Sequence, residues 1–199
     1  MSEIYPTYVY SEMTPNPATM KFVADRHLVD EGTIVDYLEP KEAKGSSRLA
    51  EELFNFPFVK GVFIMNNFVT VTKTDGIDWE MVKHELREFI QRHLMENKVV
   101  VQHIPEPKPV QKSNSAIENL TPSEYDEQIK QLLDEFVKPA VEGDGGAIDF
   151  KSFNQGVVTV SLRGACSGCP SSSVTLKSGI ENLLKSKISA VKEVIAEEL

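Results

Sequence analysis

The chain has 199 residues, of which 41% are hydrophobic, 26% charged and 8% aromatic; this globular balance excludes wholesale disorder and a collagen-like repeat. Thirty acidic against 21 basic side chains leave a formal charge of -9, so no nucleic-acid partner is expected, because such binding needs cations that displace counterions. The longest apolar run, residues 62–65, falls far short of the roughly 20 residues of a membrane span, and no membrane partner is expected. The opening Met-Ser-Glu-Ile-Tyr-Pro has no basic start followed by an apolar stretch, and Glu3 and Glu12 do not suit a transit peptide. The expectation is a cytoplasmic protein, of bacterial type.

In chain order, residues 8–12 and 33–37 read as extended. Between them, Thr14-Pro15-Asn16-Pro17 is a loop by composition, taken as structural ahead of a partner-docking alternative for residues 14–22. Residues 47–54 form a short helix. Residues 59–65 and 68–73 are strands around Asn66-Asn67, a pair that tolerates the positive φ of a tight hairpin. Asp78 caps a helix with the apolar stripe Trp79, Val82, Leu86, Phe89, Ile90 and His93, and His93 is assigned to core packing. Residues 98–119 carry Pro105, Pro107 and Pro109 at alternate positions, followed by a Ser/Asn cluster. Such a stretch should stay out of any core and act as a semi-rigid linker.

After the linker, Thr121-Pro122-Ser123-Glu124 reads as a capped helix start, with a stripe at Tyr125, Ile129, Leu132, Leu133, Phe136 and Val137. Pro139 should end or kink that helix. The turn Glu142-Gly143-Asp144-Gly145-Gly146 lacks the Lys-Ser/Thr of a phosphate loop and precedes a strand, so it reads as a turn needing positive φ. Residues 147–153 and 157–163 are strands joined by Asn154-Gln155-Gly156. Pro170 opens a helix with Leu176, Ile180, Leu183 and Leu184 on its buried face, and residues 190–196 form a last strand. The predicted class is α+β: two small mixed α/β-sandwich domains, residues 1–97 and 120–199, joined by the Pro-rich linker 98–119.

The chemistry sits in Arg163-Gly164-Ala165-Cys166-Ser167-Gly168-Cys169-Pro170, which holds the chain's two cysteines. They lie between a strand and a helix start, where free backbone N–H groups and the helix dipole favour thiolate. The surrounding small residues let a bulky inorganic ligand approach the backbone. A lone CxxC can serve dithiol redox chemistry, half a zinc site or half an iron–sulfur site. Zinc prefers four protein ligands, and His27, His84, His93 and His103 are all far away in sequence. The redox reading prefers a CxxC after an early strand of a βαβ unit, whereas this one follows a hairpin late in its domain. A [4Fe–4S] cluster usually takes four thiolates, so two copies of this chain would complete the set that one copy half supplies. Arg163, beside the site, either balances cluster charge or is a solvated strand-end side chain.

From Tyr125 onward the order Pro139, Gly143-Asp144-Gly145-Gly146, the hairpin and Gly164-Ala165-Cys166-Ser167-Gly168-Cys169-Pro170-Ser171-Ser172-Ser173 resembles the Nfu-type domain, similar to the C-terminal domain of NifU. Thr14-Pro15-Asn16-Pro17, Met20-Lys21-Phe22, Gly61-Val62-Phe63-Ile64 and the 68–73 strand are similar to the N-terminal domain of many Nfu proteins. The resemblance implies a cluster scaffold or carrier, not an enzyme. It would hold a subunit-bridging [4Fe–4S] cluster through Cys166 and Cys169, form a homodimer when loaded, receive the cluster from upstream assembly proteins and deliver it to apo iron–sulfur proteins. The N-terminal module is expected to engage a donor or recipient.

Overall fold

The computed structural model describes residues 5–97, 99–105, 123–167 and 170–198. The N-terminal domain contains β1 (Val9–Met13), β2 (Thr19–Ala24), β3 (Ile34–Tyr37), α1 (Pro40–Ala43), α2 (Arg48–Leu53), β4 (Val59–Met65), β5 (Phe68–Lys73) and α3 (Trp79–Glu96). Its five strands pair antiparallel in the order β1-β2-β5-β4-β3. The β4–β5 hairpin turns where expected, with Asn66 at φ 47° and Met65 opposite Phe68. The Asp78 carboxylate caps α3 by accepting from the Glu80 N–H at 3.0 Å, and the Ser47 hydroxyl caps α2 through the Ala50 N–H.

Side-chain alternation gives this sheet two working faces. Met20, Phe22, Val35, Tyr37, Val62, Ile64, Val69 and Val71 pack on one face with Leu49, Leu53, Leu86 and Ile90 from α2 and α3. Val23, Phe63, Met65 and Phe68 point the other way and form a second apolar cluster, closed by Ala147 of the C-terminal domain. The sheet is therefore buried on both sides at its centre. This explains why β2 escaped the sequence reading: every residue from Thr19 to Ala24 is buried, so the polar/apolar alternation that marks a half-exposed strand is missing.

The C-terminal domain runs α4 (Asp126–Leu132), a wide π turn at Leu133–Val137, α5 (Lys138–Gly143), β6 (Gly146–Asn154), β7 (Val157–Gly164), α6 (Pro170–Lys187) and β8 (Glu193–Glu198). β6 and β7 form an antiparallel hairpin through Gln155 (φ 50°) and Gly156 (φ 94°), and β8 returns parallel to β7. Ile129, Leu133, Val137 and Val141 from the first helical run meet Ile180 and Leu184 of α6 over Val158, Val160 and Leu162. The predicted order of elements is present.

The first helical run is interrupted at Pro139, as expected: a wide π turn separates α4 from α5, and Pro139 occupies the first turn of α5, where a missing N–H is tolerated. One expectation needs correction. The stretch 98–119 does not leave the core at its start: Val100 is buried with the N-terminal core, the Ser47 hydroxyl donates to the Val100 carbonyl at 2.8 Å, and Ser46 bonds the His103 carbonyl. The expected cap at Thr121 and Pro122, and the linker from 106 onward, lie outside the described residues.

Candidate thiol site

β7 ends at Gly164 with φ 65°, and the chain turns through Ala165 and Cys166 toward α6. Ala165 N–H donates to the Gly145 carbonyl at 3.2 Å, fastening the cysteine loop to the glycine turn before β6, and Ser167 N–H donates to the Gly164 carbonyl at 3.1 Å, closing the loop on itself. Cys166 is 5% exposed and packs against its own domain's core. Gly146 makes that position available: a Cβ there would lie 2.7 Å from the Arg163 carbonyl oxygen and 2.8 Å from the Cys166 Sγ. Cys169 and Gly168 lie outside the described residues, and α6 starts at Pro170 as predicted. A thiol cradled by glycines at a strand–helix junction suits a soft metal centre, since small neighbours leave space for a cluster and backbone N–H groups can bond sulfur.

Arg163 pairs with Asp149 across the β6–β7 hairpin. Of the lysines on α6, Lys185 pairs with Glu181 at 2.6 Å and Lys177 with Glu193 at 3.6 Å. His93 is buried as expected; its Nδ1 lies 3.0 Å from Glu52 Oε2, so the ring donates to that carboxylate. Burial pushes the Glu52 carboxyl up, but hydrogen bonds from Arg48 and His93 outweigh it and the net displacement is downward. Among the described residues, no three His, Cys, Asp or Glu side chains gather as a metal site.

The cysteine loop is also held from the other domain, by residues the sequence reading gave no site role. Asn16 is 4% exposed; its amide Nδ2 donates to the Ala165 carbonyl at 3.1 Å and to the Ser167 carbonyl at 3.4 Å, the two carbonyls that flank Cys166. The Asn16 Oδ1 accepts from Ala18 N–H at 3.0 Å, and Thr14 Oγ1 donates to the Asn16 carbonyl at 2.9 Å, which fixes the loop that presents it. The indole Nε1 of Trp79 donates to the Pro17 carbonyl at 3.0 Å. Lys21 Nζ, lying 4.6 Å over the Phe68 ring, donates to the carbonyls of Glu142 and Gly143 at 3.1 and 3.0 Å. Thr70 Oγ1 donates to the Gly145 carbonyl at 2.8 Å. The segment 14–22 is thus a structural loop and strand, as preferred, and it packs Asn16 and Lys21 against this chain's own second domain. The available signal was a polar residue at alternate positions of otherwise apolar strands: Lys21 in β2, Asp36 in β3 and Thr70 in β5.

Asp36 faces the same junction. Burial raises its carboxyl from 3.8 to about 6, against a hydrogen bond from the Gly164 backbone and attraction from Arg163 that pull it down, with a small upward push from Glu42. The native chain therefore binds this proton more tightly than the unfolded chain. The stabilisation is complete below pH 3.8, is lost as pH rises toward about 6, and is flat above that. Asp36→Asn should remove the slope, recovering about 3 kcal/mol above the transition relative to wild type. Urea unfolding of both proteins on either side of that window checks it.

Residues 9–97 match the family model described as "Scaffold protein Nfu/NifU N terminal", and residues 129–195 match "NifU-like domain". "NifU-like protein 4, mitochondrial" of Arabidopsis thaliana is 35% identical over 193 residues, covering 94% of this chain and 65% of its own length. The chain belongs to the Nfu family. "NFU1 iron-sulfur cluster scaffold homolog, mitochondrial" of Drosophila erecta is 36% identical over 191 residues, covering 94% of this chain and 64% of its own. "NifU-like protein 5, mitochondrial" of Arabidopsis thaliana is 35% identical over 189 residues, with coverages of 94% and 66%. This Nfu-family chain thus spans a little under two thirds of the length of these curated relatives. All three are mitochondrial proteins by name, which overturns the expectation of a cytoplasmic protein of bacterial type.

Proposed function

We propose that this protein is an iron–sulfur cluster scaffold and carrier that holds a [4Fe–4S] cluster between two copies of itself and passes it to apo-proteins. Cys166 and Cys169 of each copy are the ligands. The observation that carries the reading is the Cys166 thiol set among glycines at the turn from β7 to α6, with the chain's one other thiol three residues on. One copy supplies two thiolates and a [4Fe–4S] cluster usually takes four, so a two-fold pair completes the shell. Membership of a family whose curated relatives include a named iron–sulfur cluster scaffold supports the same reading.

A cluster at a subunit seam has few ligands from each chain and can be handed on by ligand exchange. Thiolates of the acceptor replace Cys166 and Cys169 one after another, with no change in cluster oxidation state. The protein is a carrier and not a turnover enzyme. Upstream assembly proteins load it and apo iron–sulfur proteins unload it, with residues 120–199 as the cluster domain.

Anaerobic reconstitution with iron and sulfide, followed by native mass measurement, tests this. The expected result is a brown pair of chains carrying one [4Fe–4S] cluster. A fully loaded single chain, a colourless zinc-bridged pair, or protein that stays pale after every attempt at assembly would overturn it.

A further inference from the structure

The face of the N-terminal sheet that turns away from its own helices is built to hold the cysteine end of the second domain. Phe63 and Phe68 are buried with Ala147. A Cβ on Gly164 would lie 2.9 Å from the Phe63 ring, and one on Gly145 would lie 2.9 Å from Thr70 Oγ1. Asn16, Lys21 and Thr70 donate to backbone carbonyls of the glycine turn and the cysteine loop. Two carbonyls bracketing Cys166 are among them, while the Cys166 side chain itself packs in its own domain's core.

We propose that the N-terminal domain is a detachable cap on the cysteine loop, and that its release gates the pairing of two loops around a cluster. A bridging cluster requires the loop of a second copy to reach this end of the domain, where the docked chain has Asn16. The gate rests on the carrier reading above; the docking itself does not. The grip combines these donors on backbone carbonyls with the Asn66 amide on the Glu142 carboxylate at 3.3 Å and a small apolar patch, and polar contacts of this kind between domains open and close reversibly.

The test uses the full chain without metal, in a Cys169→Ser background so that Cys166 alone reports. Thr70→Arg is the opening variant. Thr70 lies between Val69 and Val71, which face the helices, so its own side chain faces the cap junction and an Arg there meets water once the domains part. Cys166 packs in its own domain's core, so its alkylation by iodoacetamide reads how often the loop, once released from Asn16, swings the thiol out, and Thr70→Arg should raise that rate about tenfold or more. The radius of gyration from X-ray scattering should rise with it. Asn16→Ala and Lys21→Ala, each losing hydrogen bonds without adding bulk, should give smaller increases in the same direction and serve if the Arg variant does not fold. With both cysteines restored, Thr70→Arg should load iron and sulfide several-fold faster than wild type at equal concentration.

Unchanged alkylation and unchanged dimensions in all three variants overturn the cap. Faster alkylation with unchanged loading overturns the gate while leaving the docking in place. Failure of wild type and variants alike to take up a cluster defeats the carrier reading and the gate with it, and the thiol measurement still decides the docking.

Discussion

Cys166→Ala and Cys169→Ala should each retain essentially no cluster after anaerobic reconstitution, falling from about four irons per pair of chains to about none. The size of the effect comes from symmetry: one substitution in the gene removes two of the four thiolates at the seam. Alanine is the substitution to use at Cys166. That side chain is 5% exposed in an apolar core, so a serine hydroxyl would be buried at a cost of about 1–3 kcal/mol if left unpaired. Alanine loses one sulfur, and the apo fold should weaken by only about 1 kcal/mol. Iron and sulfide analysis beside thermal unfolding of the apo proteins separates ligand loss from misfolding. A single variant that kept a full cluster would mean that other residues ligate it.

Gly146→Ala should destabilise the C-terminal domain by about 2–3 kcal/mol. The new Cβ would sit 2.7 Å from a backbone oxygen and 2.8 Å from the Cys166 sulfur. The oxygen belongs to Arg163, which pairs with Ala147 in the β6–β7 ladder, so it cannot retreat without loosening the hairpin. In the unfolded chain the same change removes backbone freedom, which by itself favours folding by up to about 1 kcal/mol, so any net loss is steric. Gly143→Ala is the matched control. Beyond its chain neighbours and its own helix backbone, no heavy atom lies within 4 Å of its added Cβ, and its effect should be close to neutral. Urea unfolding of the three proteins measures the difference, and equal midpoints for both variants would remove the steric account of the cradle.

Local signals made much of the fold legible. Asn66-Asn67 and Gln155-Gly156 turn hairpins because their residues accept positive φ, and Asp78 starts α3 because a short acceptor side chain meets an open N–H. The cysteine spacing and the helix start at Pro170 marked the candidate site in the same local way. What stayed hidden depended on contacts distant in the chain. β2 lost its alternation because helices cover one face and the C-terminal domain covers the other. The hold of Asn16, Lys21 and Thr70 was invisible from the accepting side, since carbonyls of Glu142, Gly143, Gly145, Ala165 and Ser167 leave no mark on residue type.

The molecule also carries its own optical gauge. Its single tryptophan anchors, through the indole N–H, the carbonyl of the residue that follows Asn16. Emission from Trp79 therefore samples the loop that touches the cysteine segment, in an unlabelled protein.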